Sequence, residues 1–135
     1  MVTTTSTTGT SARTQRAALR KRTRAFAKEA RSFVRKTPRD LASLSDARNL
    51  IRSSGFVGAS YIDADEAADG REFLRRIGDC RRQSKLSVHW LELLEGNLEE
   101  RSEESRASLA KEAAELERIF GAIIGSVLKK KREEA

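Results

Sequence analysis

Apolar and polar positions along this chain recur in steps of three and four over four long stretches, the spacing of amphipathic helices and not of strands. The first stretch, from about Arg13 to Lys36, puts Leu19, Thr23, Phe26, Ala30 and Phe33 on one seam. Thr37 precedes Pro38, and a residue before proline avoids helical angles, so the helix is expected to stop there. A second helix is expected to begin near Ser43 or Ser45, whose hydroxyls can accept from a first-turn amide. Its seam reads Leu44, Ala47, Ile51, Ser54, Gly58, Tyr61, Asp65 and Ala68. Asp69 reads as the N-cap of a third helix, with Glu72 three residues on as the other half of a capping box. Helix three carries Phe73, Ile77, Cys80, Ser84, Ser87, Leu91 and Leu94, and ends at "EGN", where Gly96 can take the left-handed conformation of a helix C-terminus. Helix four is expected after Ser102, with Glu103 and Glu104 near the positive end of its dipole. Its seam is Leu109, Ala113, Leu116, Phe120, Ile123 and Val127.

Four amphipathic helices with short connections predict an all-α, antiparallel up-down-up-down four-helix bundle spanning residues 13–132. Residues 1–12 are mostly Thr and Ser and read as a disordered tail, and 133–135 as a frayed end.

The stretch "GFVGASYIDADEAADG", residues 55–70, tests that reading. Two glycines and four acids suggest a phosphate loop or a metal site. A phosphate loop requires a Lys after its last glycine, and none follows Gly58. A calcium loop requires acids at alternate positions, and Ala67 and Ala68 interrupt the run begun by Asp63 and Asp65. The helical seam passes through both glycines without a slip. Ser53, Ser54, Gly55, Gly58, Ala59 and Ser60, with Tyr61 beside them, therefore read as small residues at a close helix crossing, where packing offsets the cost of glycine. Asp65 falls on the seam, either as a buried acid with a basic partner or as a residue reaching water at the bundle mouth.

Of 135 residues, 38% are hydrophobic and 35% charged, a balance suited to one helical domain with wide solvated faces. A single cysteine, Cys80, excludes an intramolecular disulfide, and one histidine excludes a histidine metal cluster. No metal or cofactor is expected. Cys80 reads as a small core hydrophobe. His89 beside Trp90 has the chemistry of a general base, but no Ser or Cys stands in a defined relation to it, so no enzyme is expected. "MVTTTSTTGTSA" lacks a charged segment followed by an apolar one, and no apolar run is long enough for a bilayer, so a cytoplasmic protein is expected.

The net charge of +7 is uneven. Arg13 to Arg39 holds eleven basic residues against Glu29 alone, while Asp40 to Ala135 holds sixteen basic against nineteen acidic. Arg20, Arg24, Lys28, Arg31 and Arg35 share one face of helix one, widened by Lys21 and Arg22. They are candidates for phosphate contacts to RNA or DNA. The bland alternative is a solvated face neutralised by Glu112, Glu115 and Glu117. A second apolar stripe, Leu86, Trp90 and Leu93 on helix three with Ile119 and Ile124 on helix four, suggests self-association.

"LIRSSGFVGASYIDADEA", "REFLRRIGDCRRQSK" and "HWLELL" together resemble the four-helix bundle proteins encoded in intervening sequences of bacterial 23S ribosomal RNA genes, a family to which the accessory protein of diversity-generating retroelements is similar. The resemblance runs from about Leu19 to Leu128 and is most specific in helices two and three. It implies an up-down bundle, a ring-shaped homopentamer, no enzymatic activity and a role with nucleic acid. Ser60 stands where the family commonly has Asn, and Asp63 where it commonly has Glu. The alternative function is a scaffold that holds another protein and binds no nucleic acid.

Overall fold

The computed structural model describes the backbone of residues 4–134 and the side-chain environment of residues 11–134. The described residues form four α-helices: α1 (Thr4–Val34), α2 (Leu41–Asp65), α3 (Gly70–Leu93) and α4 (Glu100–Glu134). No strand occurs among the described residues. Each helix packs on its neighbours in sequence, and α4 returns to α1. No Cα atoms of α1 and α3, or of α2 and α4, come within 8 Å of each other among the described residues. The α2–α3 contact is the most extensive of the four and α1–α4 the least.

The first helix buries the expected seam: Thr23, Phe26, Ala30 and Phe33 are all in the core, with Leu19 packed at its edge. The hydroxyl of Thr23 donates to the carbonyl of Arg20, which lets a polar residue sit in that row without an unpaired group. After Val34 the backbone tightens into two three-residue turns, Lys36 N to Phe33 O and Thr37 N to Val34 O, and the buried Thr37 hydroxyl also donates to Val34 O. The start differs from expectation. The helix begins at Thr4, so most of the expected tail is helical, whereas Met1–Thr3 lie outside the described residues. Extending a nucleated helix adds one hydrogen bond per residue fixed, so poor helix formers are carried along at its end. At the other terminus α4 runs to Glu134, through most of the expected frayed end.

Two helix starts move as well. Asp40, not Ser43 or Ser45, caps α2; its carboxylate accepts from Ser43 N at 3.0 Å and from the Ser43 hydroxyl at 2.9 Å. A carboxylate is the stronger acceptor for first-turn amides. The fourth helix starts at Glu100, and Ser102 lies inside it, buried. Asp69 caps α3 through Glu72 N at 2.9 Å, but the Glu72 carboxylate turns outward to Arg75 and Arg76, so only half of the capping box forms. Gly96 takes φ 98° after α3, the left-handed conformation expected of it.

The register of α2 departs most from expectation. Its core row is Ser43, Ala47, Leu50, Ser54, Val57, Tyr61 and Ala64. The expected seam shares Ala47, Ser54 and Tyr61 with it, but named the next residue along at Leu44, Ile51, Gly58 and Asp65, and its last member, Ala68, lies beyond the helix and is exposed. Leu44 is exposed, and Ile51 and Gly58 are only half-buried. The gain is in the second half of the helix, where burying Val57 and Ala64 in place of Gly58 and Asp65 removes more apolar area and leaves the Asp65 carboxylate near water. On α3 the seam is as expected: Ile77, Cys80, Ser84, Ser87 and Leu91 are fully buried and Leu94 nearly so. Leu109, Ala113, Leu116 and Phe120 close the core from α4, with Tyr61 tilted on Phe120 at 6.0 Å between ring centroids. Ile123 and Val127 are only half-buried.

Gly58 lies within α2, where it faces α1. A Cβ built there would stand 3.3 Å from Thr23 Oγ1 and 3.6 Å from Thr23 Cβ. Replacing Gly58 by Leu should destabilise the protein by about 1–3 kcal/mol through overpacking, more than the gain in helix propensity. Denaturant melts in the parent and in a Thr23→Ala background check this. The penalty should shrink when Thr23 is shortened, and a stabilised Gly58→Leu protein would show that the crossing has room to spare.

Candidate nucleic-acid interface

The basic face of α1 is divided by what its neighbours do. Arg20 Nη2 reaches Asp65 Oδ2 at 2.6 Å across the α1–α2 contact, so Asp65 has its basic partner at the bundle mouth. Both atoms keep water access, which limits such a pair to about 0–1 kcal/mol. Arg22 makes a two-pronged pair with Glu112 of α4, Nε to Oε2 at 2.6 Å and Nη2 to Oε1 at 2.8 Å. Glu112 thus neutralises part of the segment within the same chain, whereas Glu115 pairs with Arg118 on its own helix. Arg31 folds back to donate to the Ala27 carbonyl at 3.0 Å, and its guanidinium lies 3.2 Å from where a Gly55 Cβ would be. Gly55 therefore makes room for a half-buried arginine.

Lys21, Arg24, Lys28 and Arg35 remain. All four are exposed, and none forms an ion pair among the described residues. At 3.6 residues per turn they fall within roughly 60° of one another, on the side of α1 turned from the core. Beside them runs a groove of about 250 Å³ along the α1–α2 contact, walled by Arg20 and Arg24 and floored by Ala27, Gly55, Gly58 and Ala59.

The stripe expected to drive self-association is spread over several surroundings. Trp90 is half-buried and packs on the core of its own chain, as does Ile124. Leu86 and Ile124 line a groove between α3 and α4, and Leu93 is exposed. Ile119 and Ile124, five residues apart, point roughly 140° apart around α4 and so do not share a face. The most exposed large apolar side chains are instead mostly on α2: Leu41, 88% exposed, with Phe56, Ile62 and Leu44 near half.

The sequence reading passed over one charged surface. Arg81, Arg82, Lys85 and His89 line the α3–α4 groove together with Gly78. The signal was present, since Gly78, Arg82, Lys85 and His89 follow in steps of four, three and four, but nearby acids keep the local charge low. Arg76 takes up three of those acids, pairing with Glu72, Asp79 and Asp63. Asp63 at 3.5 Å makes the one α2–α3 link of that cluster.

Cys80 is fully buried, and burial, followed by the nearby Asp79 charge, pushes its thiol up to about 12. A thiol held neutral and away from solvent is neither a nucleophile nor a ready metal ligand. It should not react with a thiol–disulfide reagent near pH 8 until denaturant is added. Rapid labelling of the native protein would show that α3 opens on that timescale.

No helix among the described residues is long and apolar enough to cross a membrane. No family model matches the chain, and neither a curated protein nor a solved structure matches it.

Proposed function

We propose that this chain is a non-enzymatic, self-associating, antiparallel four-helix bundle that binds RNA or DNA through phosphate contacts on α1. The observation that carries the reading is the row of exposed cations, Lys21, Arg24, Lys28 and Arg35, without ion-pair partners among the described residues. From Lys21 to Arg35 the row spans roughly 21 Å at 1.5 Å per residue, long enough to follow several phosphates. No aromatic side chain stands in it to stack on bases, and contacts made mainly to phosphates give weak sequence preference.

Residue pairs support the up-down-up-down topology. Along α1–α2, Arg20, Thr23 and Arg31 meet Asp65, Gly58 and Gly55, numbers rising on one helix as they fall on the other. Arg76 with Asp63 and Ser87 with Ser53 do the same on α2–α3, and Arg81 with Gly121 and Leu91 with Arg106 on α3–α4. The resemblance to proteins encoded in 23S ribosomal RNA intervening sequences supports both the bundle and a pentameric ring. A ring of five would repeat the α1 face around one surface and raise the local positive potential.

Reversing Arg24 and Lys28 together (R24E/K28E) should weaken binding of duplex RNA and DNA alike. It should also make the log–log salt dependence shallower by about 1.8, since each phosphate contact contributes about 0.9. Both side chains are exposed, so the fold should be unchanged. Anisotropy titrations at several salt concentrations check this, and parent-like binding at every salt would leave α1 as a solvated face.

The exposed apolar side chains of α2 favour a second reading, a scaffold that holds other protein chains and no nucleic acid. They also supply the surface for self-association. Light scattering should give a mass several times 15.1 kDa, reduced by Phe56→Glu. A monomeric parent at micromolar concentration would remove the oligomer from both readings.

A further inference from the structure

The groove between α3 and α4 has a volume of about 610 Å³ and takes no part in the α1 reading. Arg81, Arg82, Lys85 and His89 line it from α3, and Leu86 and Ile124 add apolar surface. Arg81 leans across to α4. A Cβ built at Gly121 would lie 3.5 Å from its Nε, so glycine lets the guanidinium rest against the neighbouring helix. Gly78, by contrast, has open space where a Cβ would be. Packing does not require glycine there, although glycine is costly in a helix interior. Its effect is to keep the groove wide.

The three cations are unengaged: Arg81, Arg82 and Lys85 form no ion pair among the described residues. Of the acids near them on α3, Asp79 lies 4.0 Å from Arg76. At the far end the His89 ring is exposed and stands at 67° to the Trp90 ring, with centroids 4.7 Å apart. Trp90 is half-buried and braces it. This surface therefore adds to positive charge what the α1 row lacks, apolar lining and an exposed aromatic ring within one groove.

We propose that this groove is a second nucleic-acid site and that it takes a single strand. Arg81, Arg82 and Lys85 hold backbone phosphates, and an unpaired base stacks at His89 against the Trp90 support. A duplex keeps its base faces covered and cannot use the ring, whereas a single strand offers both phosphates and bases. No residue lining this groove lies on α1, so the two sites share no side chain, and one molecule can hold a single strand at one and a duplex at the other. The proposal shares with the α1 reading only its class of ligand.

Trp90 is the only tryptophan and its ring lies against that of His89, so its emission reports on the His89 end of the groove. Titrating the full chain with an oligouridylate of about ten nucleotides should quench it to saturation. Replacing Arg82 and Lys85 by Glu (R82E/K85E) should abolish the quenching. His89→Ala should weaken single-strand affinity at least about fivefold and leave affinity for a duplex of similar length unchanged. R24E/K28E should leave the quenching intact while weakening duplex binding. The altered side chains are exposed, and an unchanged thermal midpoint confirms that each variant is folded. Parent-like quenching in both R82E/K85E and His89→Ala overturns the proposal and leaves the α1 reading untouched. So does equal quenching by polyphosphate with no effect of His89→Ala, since the groove would then recognise charge alone. Loss of the α1 effect with these results preserved overturns the α1 reading and not this one.

Discussion

The close contact between α2 and α3 is the constraint on which the rest of the bundle rests. Small hydroxylated residues meet there: Ser53 of α2 faces Ser87 of α3, and Ser54, Ser60 and Ser84 are buried on the same two helices. The hydroxyls of Ser54, Ser84 and Ser87 donate back to a carbonyl of their own helix, as Ser84 does to Cys80 O at 2.9 Å and Ser87 to Gln83 O at 2.9 Å. Ser53 and Ser87 also meet each other at 2.8 Å across the interface. Serine thus allows close approach without an unsatisfied group, and no buried side-chain polar atom among the described residues lacks a partner. Because these two helices sit close, Leu50 and Val57 can share one core with Ile77 and Leu91, while the larger rings Phe26, Phe33 and Phe120 fill the wider space toward α1 and α4.

That arrangement places α1 and α4 on the looser side and gives their charges structural work. Arg22 and Glu112 bridge the least extensive contact in the bundle. Between α3 and α4, Arg106, almost fully buried, joins Glu103 at 2.6 Å and donates at 3.4 Å to the Leu91 carbonyl, which also accepts from Leu94 N at 3.2 Å where α3 ends. Its hydrogen bonds hold the Glu103 carboxyl below its usual range. The basic residues thus divide into those that tie helices together and those that face water, and only the second group is left for the proposed phosphate contacts.

The clearest successes of the sequence reading were local. The α1 and α3 seams have large side chains flanked by charged ones, so only one phase is possible. Asp69 and Gly96 sit where a helix start and stop need a carboxylate and a left-handed residue. In α2 the neighbours Leu50 and Ile51, and Val57 and Gly58, admit two adjacent phases, and the true one depends on which edge α1 occupies. The fate of Arg20, Arg22 and Arg31 was likewise not legible, because Asp65, Glu112 and Gly55 lie 24 to 90 residues away along the chain.

By itself the sequence determined that the chain is helical, roughly where its helices stop and start, and which segment holds its excess positive charge. These follow from interactions within a few residues, which periodicity and capping chemistry record directly. Only the tertiary structure decided the phase of α2, which arginines are consumed by ion pairs, and that Arg81, Lys85, His89 and Ile124 border one groove. Those properties belong to pairs of helices, and a side chain's free charge or exposed face depends on what the second helix brings against it.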